Sequence, residues 1–226
     1  MYTYYTIEDA SKKYPGVIFN GNLHIGDDVI IEAGTNIGQS VCIHDNVYIG
    51  NNCLIGDAVI IDSFSTIYDY VLIDNYSYIG EDVIINDNVR IGRKVGIGYQ
   101  CTIRHHTNIH DNVHIEHTTT IGEYTNIQDD AYIKCLAYIK RGSYINPNSF
   151  IITIHSKYPG NIIPFKDKPI LIRIGCEIHG IPTWDKKQRY IARKHGEYKW
   201  WLNEGQYIYQ FLRDEASRYQ SVHNHD

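Results

Sequence analysis

From Ile25 to Ile151 an isoleucine recurs at every sixth residue of this chain without a break, and Phe19 extends the series one step earlier. Four places after each isoleucine stands a small or β-branched residue, as in Val29, Thr35, Val41, Val47, Cys53 and, later, Thr125, Ala131, Ala137 and Ser143. The place directly after it is often glycine (Gly26, Gly38, Gly50, Gly98, Gly122), with Asn and Asp crowding behind. A fixed short period of this kind has to be read before any single element is assigned. Six fits neither an amphipathic helix nor a simple alternating strand. It fits a very short strand followed by a sharp corner, repeated. The isoleucine points into a narrow interior, the small residue fills the corner, and Gly, Asn or Asp supplies a permissive turn backbone. Three hexads close one triangular coil, and coils stack at the inter-strand spacing, so roughly seven coils give a prism about 35 Å long. Each fully buried isoleucine contributes about 1.5–3 kcal/mol. The expected fold is therefore an all-β solenoid held together by nearest-neighbour stacking.

The ends of the chain break the period. In "TIEDASKKYPG", Thr6 is positioned to cap a short helix that has Glu8 and Asp9 in its first turn and Lys12 and Lys13 in its last. Residues 1–18 thus read as a capping segment, 19–151 as the solenoid, and 152–226 as a loop with a helical extension. Within that extension "TIHSKYPGNIIPFKDKP" reads as a three-proline loop and "ILIRIG" as one more strand. A helix is expected to start at Thr183 and end at Gly196, and a second to run from about Tyr198 to Tyr219. Its aromatic residues (Trp200, Trp201, Tyr207, Phe211) are expected to pack against the prism or a neighbouring chain.

Composition narrows the classes of function. The formal charge of −5 argues against a general nucleic-acid binder. No run of about eighteen apolar residues offers a membrane span. The N-terminus lacks the order of a signal peptide, and the five cysteines are scattered without C-x-x-C spacing. A reduced, cytoplasmic setting is expected.

The repeat resembles that of the hexapeptide-repeat family over residues 19–151. The resemblance implies a left-handed parallel β-helix, an exception to right-handed crossovers, assembled as a homotrimer with its sites in the clefts between prisms. The outward tyrosines preceding the isoleucines (Tyr48, Tyr78, Tyr132, Tyr138, Tyr144) are expected to bury their rings there. Most members of the family transfer acyl groups from coenzyme A or acyl carrier protein, and some are metal-dependent carbonic anhydrases. Fold alone does not choose among these activities. A rigid trimer that only binds a ligand or acts as a spacer is the non-catalytic alternative.

Histidines concentrate in one part of the repeat: His105, His106, His110, His114 and His117. None occupies an isoleucine or small-residue slot, so all are expected outside the core. "IRHHTNIHDN" resembles the paired histidines of the carbonic anhydrase branch, with His105 and His110 as the metal pair. A catalytic zinc needs three protein ligands and an open position, whereas the residues stacked on His110 at eighteen-residue spacing are Gly92 and Gln128. No metal is expected. "IEHTTTIGEYTNI", residues 115–127, is similar to a segment of sugar acyltransferases acting on sialic acid and on bacillosamine-type amino sugars. The resemblance implies that His117 is the catalytic base and that Glu116, Ile121, Gly122, Glu123 and Tyr124 keep the pattern. It departs at Thr118, where that branch has an acidic partner for the base, and at Asn126, where it has a second histidine contacting the acyl-coenzyme A. The implied co-substrate is acetyl-coenzyme A and the implied acceptor an amine or hydroxyl of a sugar, carried on a nucleotide. An imidazole suits the proton transfer at neutral pH. Asn126 or a corner backbone N–H is a candidate oxyanion donor, and Asn126 is also a candidate coenzyme contact. Glu116, Asp111 and Glu123 are candidate orienters of His117, and Lys134, Lys140 and Arg141 candidate partners of the coenzyme phosphates.

Overall fold

The computed structural model describes residues 3–135, 137–147, 149–151, 160–165, 168–174 and 176–223. The chain divides into two compact units, Met1–Pro147 and Asn148–Asp226. The first is a left-handed parallel β-helix of about seven coils. Its two-residue strands stack into three faces. Face one runs from Leu23–Ile25 to Tyr132–Ile133, face two from Ile30–Ile31 to Tyr138–Ile139, and face three from Ile18–Phe19 to Tyr144–Ile145. The register never slips: Ile97 pairs with Ile115, Ile103 with Ile121 and Ile109 with Ile127. Three corners join the faces in chain order, the first between faces one and two, the second between two and three, the third between three and one.

Backbone hydrogen bonds explain why the period survives at the corners. Strand N–H groups donate to the next coil, as Gly96 N does to the Val113 carbonyl at 2.9 Å, and the residue after the strand does the same, as Gly98 N does to the Ile115 carbonyl at 2.8 Å. The third residue after each isoleucine has positive φ at every corner from Asp28 to Asp130. This left-handed backbone turns its N–H to the preceding coil instead: Tyr70 N donates to Asn51 O at 3.0 Å, and Thr118 N to Tyr99 O at 2.9 Å. The glycines directly after the isoleucines do a different job from the one expected. They are not left-handed, but a Cβ on Gly98 would stand 2.7 Å from the His117 backbone nitrogen. Close approach of the next coil, and not turn conformation, selects glycine there.

The isoleucines from Ile25 to Ile133 line the core, and the small residues four places after them are buried beside them. Where that small residue is polar, its group is satisfied by a carbonyl fifteen residues on: Thr35 Oγ1 donates to Gly50 O at 2.8 Å, Ser65 Oγ to Gly80 O at 2.8 Å and Thr107 Oγ1 to Gly122 O at 3.0 Å. An unpaired buried hydroxyl would cost about 1–3 kcal/mol. Asp and Asn at the second place serve the corners in the same way. Asp45 Oδ1 accepts from Asp27 N at 2.8 Å, and Asp111 Oδ1 from Arg93 N at 2.9 Å, each across eighteen residues.

The N-terminal helix spans Ile7–Lys13 and is capped as expected, with Thr6 accepting from Asp9 N. Ala10, Tyr14, Val17 and Phe19 are buried. A strand not anticipated from sequence, Thr3–Tyr5, pairs antiparallel with Leu23–Ile25.

The second unit corrects two expectations. The three-proline loop contains a strand, Gly160–Phe165, antiparallel to Lys168–Ile174, which in turn pairs with Glu177–Gly180. The register shifts between Ile163 and Phe165, so Pro164 sits at a bulge, a place in a sheet that tolerates a residue without an N–H donor. Residues 152–159 of that loop lie outside the described residues. The first helix begins at Ile181, two residues before Thr183, with Gly180 as N-cap and a proline in its first turn. It ends at Lys194, and Gly196 takes the left-handed backbone just beyond. The second helical stretch is interrupted by a π-helical turn, Trp201–Gly205, before Gln206–His223. Of its aromatics, Trp201 is buried and stacks on Trp184 at 5.9 Å and 3°, with Trp184 Nε1 donating to Ile172 O at 2.7 Å, whereas Tyr207 and Phe211 are exposed. No described helix is long and apolar enough to cross a membrane.

Neighbouring residues Ile84 and Ile85 test the inward–outward logic, because Ile85 is fully buried and Ile84 is 40% exposed. Ile85→Ala should cost about 2–5 kcal/mol, whereas Ile84→Ala should stay below about 1 kcal/mol. Urea unfolding followed by circular dichroism reads both, and equal losses would contradict the assignment of faces.

Candidate active site

The eighteen-residue register fixes where each histidine stands. His117 lies at the first corner, His114 projects from face one, His105 and His106 stand at the second corner, and His110 at the third. What is adjacent in sequence is therefore spread around the prism. His105 and His110 do not share a corner; the whole of strand Asn108–Ile109 separates them. His105 Nε2 lies 3.1 Å from Asn86 Nδ2, and His110 Nε2 lies 2.9 Å from Asn108 Nδ2. Among the described residues no group of three or more His, Cys, Asp or Glu side chains is placed to hold a metal ion.

His117 is half-buried and lies flat on Tyr99, with ring centroids 4.6 Å apart and planes at 5°. Tyr99 precedes it by eighteen residues, so the stack follows from the coil register. Among the described residues no side chain hydrogen-bonds to the His117 ring, and both nitrogens are left for a ligand. The next residue, Thr118, is left-handed at φ 56°. Asn or Gly adopts that backbone at little cost, but a β-branched side chain does not. Thr118 shares this left-handed backbone with every other third-place corner residue from Asp28 to Asp130.

Glu116 does not orient His117. Its carboxylate, 18% exposed, turns along the column and is held from three sides. Oε1 accepts from the Tyr132 hydroxyl and from Lys134 Nζ at 3.2 Å, and Oε2 accepts from Cys135 N at 3.0 Å. Burial alone would raise its pKa. The bonds from Tyr132, the Cys135 N–H and Lys134 outweigh it and bring the pKa down to about 2. Burial, and then the same carboxylate, push the Tyr132 phenol well above its ordinary range. Above this cluster His114 stacks on Tyr132 at 4.7 Å. Burial lowers the His114 pKa; the Glu116 charge opposes that and Lys134 reinforces it.

The remaining predicted residues do not meet His117 within one chain. Asn126 lies on face three, opposite the first corner, stacked on Asn108 and accepting from Gln128 Nε2 at 2.5 Å. Lys134 is engaged by Glu116. Lys140 and Arg141 stand at the second corner, where Arg141 lies 5.0 Å over the Tyr124 ring and 3.7 Å from Glu123. Sequence reasoning missed Tyr99, and it gave Tyr132 a cleft-facing ring and not its bond to Glu116, although both columns appear once the sequence is written in rows of eighteen.

No protein-family model matches this chain, and no curated protein matches it. Similar solved structures include a Bacillus cereus protein provisionally described as an acetyltransferase, 17% identical over 85% of this chain and 99% of that one, with a TM-score of 0.48. A second is the Francisella novicida UDP-N-acetylglucosamine acyltransferase, 18% identical over 61% and 59% of the two chains, TM-score 0.41. A third is the acetyltransferase domain of PglB from Neisseria gonorrhoeae in complex with acetyl coenzyme A, 22% identical over 55% and 53%, TM-score 0.37. The chain thus spans a little over half the length of the last two.

The Glu116 cluster has a pH signature. Its pKa falls from an ordinary 4.5 to about 2 on folding, so its stabilisation is complete above pH 4.5 and is lost as pH drops toward 2. Thermal melts from pH 6 to pH 2.5 should show the wild type losing more stability than Glu116→Gln. Parallel profiles for the two proteins would contradict the cluster.

Proposed function

We propose that the protein is an acyltransferase that moves an acetyl group from acetyl-coenzyme A to the amine of a nucleotide-linked amino sugar, with His117 as general base. The observation that carries this reading is the His117 ring, outside the core, aligned by Tyr99 and with both nitrogens uncommitted. The resemblance of residues 115–127 to sugar acyltransferases supports it independently. In the reaction the acceptor nitrogen attacks the thioester carbonyl while His117 takes its proton. The tetrahedral oxyanion is stabilised by Asn126 or by a corner N–H. Collapse expels the coenzyme thiolate, which recovers the proton from the imidazolium, leaving an amide and free coenzyme A.

Because Asn126 stands on the face opposite His117, the two groups serve one site only if different chains contribute them. The reading therefore includes a homotrimer with its sites between prisms. Exposed Tyr138 and Tyr144 are the outward rings such contacts would cover. Tyr78 and Tyr132 already use their hydroxyls on Asp62 and Glu116. A reducing, cytoplasmic setting completes the reading, and all five cysteines are free thiols. Lys140 and Arg141 are carried as phosphate partners of the coenzyme.

Thiol release from acetyl-coenzyme A, measured against a panel of nucleotide-linked amino sugars, tests this directly. His117→Ala should lower kcat by about 10²–10⁴ while coenzyme binding stays within about twofold. A wild-type protein that releases no coenzyme A with any acceptor, or a His117→Ala protein of undiminished kcat, would overturn it.

A further inference from the structure

An open groove of 560 Å³ lies on face three, lined by Tyr70, Asn88, Arg90, His106, Thr107 and Asn108. It is away from His117, which stands at the opposite corner. Arg90 projects from face three between Leu72 and Asn108, its partners one coil to either side. The lining contains no carboxylate. The acids of the adjoining second corner are committed elsewhere: Asp69 Oδ1 accepts from Asn51 N at 2.7 Å, while Asp87 accepts from Asp69 N at 3.1 Å and lies 3.6 Å from His105 Nδ1. Among the described residues Arg90 has no carboxylate within ion-pair distance. A guanidinium beside two carboxamides, with no neutralising acid, is an arrangement for oxyanions.

The wall of the groove adds a second observation. Tyr70 and His106 occupy third-place corner positions with φ of 58° and 57°. The same column holds Gly34, Asn52, Asn88 and Gly142, residues at ease in that conformation, and one further ring, Tyr124. Tyr70 nevertheless presents a ring that is 59% exposed. His106 is held by stacking on Tyr124 at 4.8 Å and 16°. Two aromatic rings at the rim of a groove that holds an unneutralised arginine suit a flat ligand that carries phosphate.

We propose that this groove binds the phosphate-bearing part of a nucleotide, with Arg90 on the phosphate, Asn88 and Asn108 on phosphate or ribose oxygens, and Tyr70 against the base. The assignment does not depend on His117. That chemistry has two sources, the nucleotide end of an acyl-coenzyme A and the nucleotide half of a nucleotide-linked sugar.

Isothermal titration with 3′-phospho-ADP, ADP, UDP and inorganic pyrophosphate at one fixed salt concentration distinguishes them. At least one nucleotide should bind below millimolar concentration, and Arg90→Gln should weaken it about tenfold or more. Tyr70→Asn, which keeps a residue suited to the left-handed corner, should weaken nucleotides about fivefold or more and leave pyrophosphate unchanged. Arg93→Gln removes an equal charge from the third corner and should change nothing; His117→Ala should likewise leave binding intact, which separates this site from the proposed chemistry. Preference for 3′-phospho-ADP assigns the coenzyme, and preference for UDP the sugar nucleotide. Absence of binding by all four probes, or binding indifferent to Arg90→Gln, overturns the proposal.

Discussion

Stacking at a spacing of eighteen residues is the interaction on which the first unit depends. The strands of this unit from Ile30–Ile31 onward are only two residues long and could not stand alone; each exists because the coils on either side supply its hydrogen-bond partners and bury its isoleucine. The corners obey the same rule. A strand N–H reaches forward to the next coil, and the left-handed third residue reaches back to the previous one. Few backbone groups are therefore left for side chains or water to satisfy. Such a scaffold is stiff, because no residue can move along the axis without shifting the column above and below it.

The same constraint decides what chemistry the surface can offer. Side chains stacked along a column are eighteen residues apart, or close to it, and apart from pairs two residues apart such as His110 with Asn108 they are not close in sequence. Tyr99 with His117, Tyr132 with Glu116, and Asp111 with Arg93 are columns of this kind. A run of histidines along the sequence is consequently distributed over three corners and a face. Bringing two such groups together requires another chain, and this is why the proposed site lies between subunits.

Much of this was legible in the sequence, and what was not has a physical reason. The isoleucine period pointed directly to the coils and the core, and the segment around Thr6 to the helix cap, since burial and capping are local signals. The assignment of glycine to the turn conformation failed because periodicity does not distinguish a tight approach from a left-handed φ; only the neighbouring coil, 2.7 Å from a Cβ on Gly98, makes that difference. The role offered to Glu116 failed for a similar reason. From sequence it is next to His117, but alternation turns it along the column toward Lys134 and Tyr132. In the second unit no repeat constrains the reading, so the strand through Pro164 was hidden by its prolines.

The most specific part of the proposed reading is that Asn126 of one chain serves the oxyanion formed beside His117 of another. Mixed assembly tests it most directly. His117→Ala and Asn126→Ala chains are denatured, combined and refolded together, and turnover is compared with the weighted sum of the two parent proteins. Shared sites predict activity above that sum, because some interfaces recover both wild-type residues. Activity equal to the sum, in protein shown by mass to contain both chains, would contradict the account.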